Sequence, residues 1–348
     1  MPAADLPLST VESVRAEGRL WCVTGGAGFI GSHIVETLLE LGQEVICLDD
    51  FSTGKQANLD HVRSRVSDEA WGRFQLIRGD IRNDEVCKKS CEAVDFVLHL
   101  AAQGSVVLSM ENPALTHDVN VNGSARMLEA ATAAGVKRFI YSSSSAVYGD
   151  ETAVPALEDC LGTPLSPYAA SKLIGEILAK NWSRSLGLST VGLRYFNVVG
   201  SRQDPDGAYA AVIPRWIHEL KSGIQPTING DGKTTRDFCP VADVVHANLA
   251  AALVELPLSD DPGLAPSLVC NIALGSATSL NELFVLLRDG VAERGGPCAD
   301  MEPLYGSFRD GDILHSTADI QCAIEGINYT PKLSFTEGLA ETLDWFLN

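Results

Sequence analysis

The stretch Leu20-Trp21-Cys22-Val23-Thr24-Gly25-Gly26-Ala27-Gly28-Phe29-Ile30-Gly31 decides the fold of this 348-residue chain. Five strand-like residues run straight into a glycine-rich turn, and the turn opens an apolar segment of helical period from Phe29 to about Leu41. Gly26, Gly28 and Gly31 satisfy GxGxxG, and Gly25, Gly28 and Gly31 also give the GxxGxxG spacing. Glycines at these places permit a tight turn and bring a pyrophosphate close to the helix N-terminus, where unpaired amides and the helix dipole favour an anion. A lone match of this kind is commonly an ordinary turn; the strand before it and the helix after it make it a dinucleotide site. The next strand, Glu44–Asp49, ends in a carboxylate where such sites hold the adenosine ribose 2′-hydroxyl. Asp49 would repel a 2′-phosphate, so the expected cofactor is NAD rather than NADP.

Outward from this turn the chain keeps one rhythm. Strand-like segments at Phe74–Gly79, Asp95–Leu100, Val136–Ser142 and Thr190–Tyr195 alternate with helical patterns at Asn83–Cys91, Pro113–Ala134 and Pro167–Leu186. Short apolar strands separated by helices predict an α/β fold, a Rossmann-type doubly wound parallel sheet covered on both faces. After Phe196 the rhythm changes to turns at Gln203–Gly207 and Asn229–Gly232, a helix near Ile213–Ser222 and an Asp/Pro/Gly-rich stretch at Ser259–Ser267. A smaller C-terminal α/β substrate domain is expected there. The helical Asp243–Leu253 and the strand-like Leu268–Ile272 predict a return to the first domain. The expected partition is an N-terminal extension at 1–18, an NAD-binding domain at 19–197 plus about 238–272, and a substrate domain at about 198–237 plus 273–348.

Composition narrows the function. A formal net charge of -19 repels polyanions, so nucleic acid and anionic membrane are not expected partners, and an anionic ligand needs locally placed arginines and backbone amides. The nine cysteines are odd in number and scattered, with no CxxC pair, and read as reduced core residues of a cytoplasmic protein. Seven dispersed histidines form no HExxH or Cys/His cluster; each is expected to be a satisfied structural residue, and no metal is expected. The first 18 residues lack a basic segment followed by an apolar one, and nowhere do 18 apolar residues follow one another.

The reactive groups come from a helix start. Ser166-Pro167 supplies an N-cap and an N1 proline, which places Tyr168 and Lys172 at i and i+4 on one face. A phenol with an ordinary pKa near 10 is a poor base at neutral pH, but a neighbouring ammonium and an oxidised nicotinamide both favour the phenolate. Tyr168 can then take a hydroxyl proton while hydride leaves the same carbon. Alone, such a pair is usually a surface contact; the glycine-rich motif upstream makes the redox reading the stronger one. Ser142-Ser143-Ser144-Ser145 follows a strand and so falls at its carboxyl end, where open α/β sheets bind ligands. One or two of the four serines are expected only to cap the loop.

Together these residues resemble the extended short-chain dehydrogenase/reductase superfamily, and within it the nucleotide-sugar 4-epimerases. The resemblance spans Leu20 to Leu347 and rests on an ordered series: TGGAGFIGS at Thr24–Ser32, GDIR at Gly79–Arg82, HLAA at His99–Ala102, NVNG at Asn120–Gly123, SSSSAVYG at Ser142–Gly149, SPYAASK at Ser166–Lys172, LRYFNVVG at Leu193–Gly200 and RDF at Arg236–Phe238. It implies that Gly25, Gly28, Phe29, Ile30, Gly31, the run Asp49, Asp50, Phe51, Ser52, Thr53 and Gly54, then Asp80, Ile81, Leu100, Ala101, Ala102, Asn120 and Phe196 line NAD. Ser144, Tyr168 and Lys172 are implied to be catalytic. Asn197, Arg236, Arg309 and Asp312 match the ligands of a nucleotide diphosphate and its ribose, and Ser105, Ser144, Ser145, Ala211, Val212, Trp216, Asn229 and Ser316 complete the implied substrate site. Two arginines near a pyrophosphate are what an acidic protein needs.

Departures from the family pattern bear on the reaction. Relatives that eliminate water or carbon dioxide resemble one another in carrying Glu, or Asp-Glu, immediately before Val-Tyr-Gly of this loop; Ser145-Ala146 stands here, and Ala146 can transfer no proton. The resemblance therefore implies simple oxidation and re-reduction at C4 through a transient 4-keto sugar, with a tightly bound NAD regenerated each turnover. At Ser316 the UDP-galactose enzymes carry a bulky tyrosine, whereas those accepting N-acetylhexosamines have a small residue. Ser316, with 202–216 and Gly104-Ser105-Val106, resembles the bacterial UDP-N-acetylglucosamine branch used in surface polysaccharide synthesis. The expected substrate is a UDP-sugar, UDP-GlcNAc/UDP-GalNAc, with the uronic-acid forms a close competitor, then UDP-Glc/UDP-Gal and, remotely, a silent dinucleotide-binding regulator. The helical segments Pro113–Ala134 and Pro167–Leu186 match those that pair relatives into homodimers through a four-helix bundle, though their apolar positions could equally all face the sheet.

Overall fold

In the computed structural model, residues 5–205, 211–256, 264–308 and 314–348 are described. The expected turn at Gln203–Gly207 and the stretch at Ser259–Ser267 fall partly outside them.

Seven parallel strands form the central sheet: β1 (Leu20–Thr24), β2 (Glu44–Asp49), β3 (Phe74–Arg78), β4 (Phe96–His99), β5 (Arg138–Ser144), β6 (Thr190–Tyr195) and β7 (Ser267–Ile272). Their order is β7-β6-β5-β4-β1-β2-β3, so the chain moves out along one edge and then reverses past β1, the doubly wound arrangement the sequence predicts. In β1, Trp21 and Val23 point into one apolar cluster and Cys22 into another; in β2, Val45 joins the first, Ile46 and Leu48 the second. This two-residue alternation with both sets apolar requires helices on both faces. The first face is covered by Phe29–Glu40 and Val241–Leu253, the second by Asp84–Ser90, Ser124–Ala133 and Pro167–Leu186.

Two expectations need correction. The segment Pro113–Ala134 is not one uniform helix: α-helical turns at Pro113–His117 and Ser124–Ala133 flank a π-helical turn at Asp118–Gly123. Its physical support is local. Asn120 turns inward to accept the Gln103 amide at 2.7 Å and to donate to the Ser171 hydroxyl at 2.9 Å, and a Cβ on Gly123 would press on Ile81. Likewise, not every histidine is satisfied. His99 is held between Thr24 and Ser124 at 2.8 and 2.9 Å, but His33 and His246 each leave Nδ1 without a partner. Burial keeps both rings neutral, and each gains an aromatic neighbour, Phe29 and Tyr329.

A separate core gathers Ile213, Trp216, Ile217 and Leu220 of Val212–Lys221 with Leu283, Phe284 and Leu287 of Leu280–Glu293 and Phe335, Leu339 and Leu343 of Phe335–Leu347. Short strands tie this region together: Thr235–Arg236 lies between Thr278–Ser279 and His315–Ser316, and Thr227–Asn229 pairs with Leu304–Gly306. Seven of the nine cysteines are buried and none forms a disulfide. Among the described residues no helix is long and apolar enough to cross a membrane, and no cluster of His, Cys, Asp and Glu could hold a metal.

Candidate active site

A cleft of about 740 Å³ opens at the carboxyl ends of the strands, where β1, β2, β4 and β5 release their loops. At its first wall the glycine turn is sterically committed. Gly25 has φ +69° and its Cβ would lie 2.8 Å from the Ala101 amide nitrogen, while a Cβ on Gly31 would drive into the Gly25 carbonyl oxygen. Gly28 caps Phe29–Glu40 without a side-chain acceptor, so the first-turn amides of that helix face the cleft as a ready anion site. Asp49 is buried; one carboxylate oxygen accepts the Ala27 amide at 2.9 Å and the other the Phe51 amide at 2.8 Å. Burial raises its pKa, and those two amides oppose the rise. A cradle of glycines, bare helix amides and a strand-end carboxylate fits NAD.

Of the residues expected to line the cofactor, Gly25, Gly28, Phe29, Ile30, Gly31, Asp49, Asp50, Ser52, Thr53, Gly54, Asp80, Ile81, Leu100, Ala101, Ala102 and Phe196 all border this cleft. Two do not. The Phe51 ring is covered by the Arg78 guanidinium at 3.9 Å, and Asn120 is spent on bracing Gln103 and Ser171 behind the wall. Arg82, Gln103 and Val198 border the cleft although the sequence reading gave them no role; for Arg82 the signal was present in the GDIR motif, and it is doubly engaged by Asp80 and Asp118.

The reactive end is built by β5 and the helix Pro167–Leu186. Ser166 caps that helix through the Ala169 amide, and Pro167 sits at its first position, which fixes where Tyr168 and Lys172 emerge. The Lys172 ammonium donates to the Ser142 carbonyl at 2.8 Å and hydroxyl at 3.0 Å, and lies 5.9 Å from the Tyr168 ring centre. Burial pulls its pKa down to about 8, with Glu176 acting in the other direction. Burial raises the Tyr168 phenol, and a hydrogen bond with Ser144 opposes it. The ammonium therefore reaches the phenol through space rather than by a direct bond. Ser144 also accepts the Ala146 amide at 3.2 Å. Tyr168, Lys172, Ser144, Ser145, Ala146 and Asn197 share this end of the cleft.

The expected substrate residues are dispersed. Ala211 and Val212 border an adjoining cavity of about 370 Å³ that shares Phe29, Asn197 and Val198 with the main cleft. Ser316 stands in register with Arg236, and its carbonyl accepts the Asp237 amide at 2.8 Å. Ser105 caps Val106–Glu111, Asn229 ends a short strand, and Trp216 is buried in the second core against Phe284. Arg309 and Asp312 lie outside the described residues.

This fold and site match the family described as NAD dependent epimerase/dehydratase over residues 21–256. The chain belongs to that family. NAD is its cofactor, as the glycine cradle and Asp49 indicate. Similar solved structures include a UDP-N-acetylglucosamine 4-epimerase from Methanobrevibacter ruminantium M1 in complex with UDP-N-acetylmuramic acid, 36% identical with TM-score 0.84 over 95% of this chain and 99% of that one. A UDP-glucose 4-epimerase from Thermotoga maritima, with UDP-glucose, is 37% identical with TM-score 0.82 over 94% and 98%. A UDP-glucuronate 4-epimerase of Thermodesulfobacterium geofontis is 32% identical over 93% of this chain and 95% of its own length. Members of the epimerase/dehydratase family thus share this scaffold while differing in the sugar they are named for.

Proposed function

We propose that this family member is a UDP-sugar 4-epimerase whose substrates are UDP-N-acetylhexosamines, UDP-GlcNAc and UDP-GalNAc. The observation that carries the reaction is the side chain of Ala146, which borders the cleft beside Ser144 and Tyr168 where an eliminating relative would place a carboxylate. Among the described residues, the carboxylates that do border the cleft, Asp49, Asp50 and Asp80, follow β2 and β3, three and four strand positions from β5. At about 4.8 Å per strand that is roughly 14–19 Å away, beyond the reach of a sugar held at Tyr168. Among the described residues no carboxyl group stands at the reactive end to protonate a leaving group, and Tyr168 is committed to O4, so oxidation and re-reduction at one carbon is the reaction this arrangement favours.

When bound, NAD supplies reversible hydride transfer at C4, and no oxidant is consumed overall. Tyr168 takes the proton from the O4 hydroxyl and returns it. Ser144 donates to O4 as charge develops there, and the Lys172 ammonium, anchored on Ser142, stabilises the phenolate. Asn197, Arg236, Arg309 and Asp312 hold the nucleotide diphosphate and ribose in this reading, with the second core as the nucleotide-sugar domain. The small Ser316 leaves room for the acetamido group. Ser316→Tyr should cut kcat/KM for UDP-GlcNAc by about 100-fold while leaving UDP-Glc within a few-fold. The deciding experiment incubates purified protein with UDP-GlcNAc, its uronic acid and UDP-Glc without added NAD. Interconversion of UDP-GlcNAc and UDP-GalNAc is expected; a strong preference for UDP-Glc overturns the substrate assignment.

Apolar side chains on Val106–Glu111, Pro113–His117 and Pro167–Leu186, among them Met110 at 62% and Ile177 at 61% exposure, support pairing of two copies through these helices. Light scattering at micromolar protein should give twice the chain mass, and a monomer would exclude this assembly.

A further inference from the structure

One row of the helix Pro167–Leu186 carries Tyr168, Lys172 and Glu176 at four-residue steps. The chemistry above gives Glu176 no part, yet it is a buried carboxylate whose oxygens are all engaged. Its Oε1 accepts the Ser143 hydroxyl at 2.5 Å and Arg194 Nε at 2.9 Å, and its Oε2 accepts the other prong of the guanidinium at 2.8 Å. Arg194 is fixed in turn, donating to the Tyr148 hydroxyl at 3.1 Å and the Glu158 carbonyl at 2.9 Å. Ser143 and Arg194 are register partners across β5 and β6, so the carboxylate closes a bridge over both strands just before the reactive serine. One residue back, Lys172 grips Ser142; one residue on, Ser144 meets Tyr168. The strand end that presents Ser144 is thus held to the helix at two consecutive residues.

We propose that Glu176 is a positioning residue for the Tyr168–Lys172 pair, clamping the Ser142–Ser144 strand end to the helix and supplying the counter-charge that keeps the buried Lys172 ammonium charged. The proposal rests on the reading of Tyr168 and Lys172 as the catalytic pair. Around Glu176 stand Arg194 of β6, Tyr141 and Ser143 of β5 and Lys172 of its own helix; around Lys172 stand His99 of β4, which burial holds neutral with a pKa of about 3, and Tyr168. In Glu176→Gln the negative charge goes while Arg194 stays cationic. Lys172 then loses its proton at lower pH, and with one negative charge fewer beside the uncompensated Arg194 the Tyr168 phenolate also forms at lower pH.

Two measurements read this. Near-ultraviolet titration of tyrosinate in NAD-loaded protein, with Tyr168→Phe subtracted, should show the Tyr168 transition about one pH unit lower in Glu176→Gln. The alkaline limb of kcat should move to lower pH with KM unchanged within about twofold. Profiles that superimpose on wild type reduce Glu176 to a packing residue and overturn the proposal. Should Glu176→Gln fail to fold, Glu176→Gln/Arg194→Met removes both charges, which a buried pair tolerates better than loss of one; with no net change of charge its pH profile should stay near wild type while kcat falls several-fold, and an unchanged kcat removes the clamp. A double variant that also fails to fold assigns Glu176 to stability alone. Ser143→Ala, which keeps the ion pair, should lower kcat several-fold with the pH profile unmoved; an unchanged kcat removes the clamp. The tyrosinate titration needs no sugar nucleotide, so a shifted titration without epimerase activity would sink the proposed function and leave the charge relation standing.

Discussion

Tyr168 sits where burial works against it as a base, and the hydrogen bond with Ser144 only partly offsets that burial. Tyr168→Phe should leave substrate KM within a few-fold but lower kcat by about 10²–10⁴, and unchanged turnover would end the catalytic assignment. Two other buried carboxylates matter for stability. Asp237 accepts the amides of Leu274, Ser276 and Ala318, and Asp243 accepts that of Lys332 while its second oxygen finds no partner; burial raises both to about 6 from 3.8. A folded pKa above the unfolded one means the fold binds protons more readily. The associated stability is complete below pH ~4 and lost as pH rises through about 6, at about 2–3 kcal/mol for each group. Urea denaturation of Asp243→Asn should show a shallower loss between those pH values than wild type; parallel curves would refute it. Residue identities at the reactive end were legible because spacing on a helix dictates them. Glu176 was not, since its partners Ser143 and Arg194 are distant in sequence and meet only through the β5–β6 register.

At the scale of elements, the glycine turn is the tightest constraint. Gly31→Ala would force the new methyl into the Gly25 carbonyl and open the turn that presents the helix amides. The variant should emerge from purification with little NAD, measured by acid release and absorbance; full occupancy would show that the turn tolerates more than the geometry allows. This turn could be read from sequence because strand, glycines and helix are contiguous. The π-helical turn at Asp118–Gly123 could not, because it answers to Gln103, Ser171 and Ile81, contacts that no local periodicity encodes.

Taken whole, the molecule places its two kinds of chemistry at different strand positions. NAD-directed residues follow β1 to β4, with Phe196 after β6, the reactive pair faces β5, and the second core flanks them through Asn197 and Val198. The alternation of elements foretold the parallel sheet, whereas side chains such as Trp216 joined the second core, since an amphipathic helix gives its largest ring to whichever apolar surface it meets. The start of the chain, read as an extension, is part of the packing: Leu8–Arg15 is helical, Leu6 and Val14 enter the main core, and the Leu6 carbonyl accepts Lys332 Nζ at 3.0 Å. Deleting residues 1–17 should lower the melting temperature by roughly 5–10 °C from the loss of two buried apolar side chains, as calorimetry would show. An unchanged transition would free that segment. For anyone preparing the protein, a vector trimmed to begin at the first sheet strand would strip a seal from the scaffold, and a poorly behaved product would then reflect the cloning boundary rather than the enzyme.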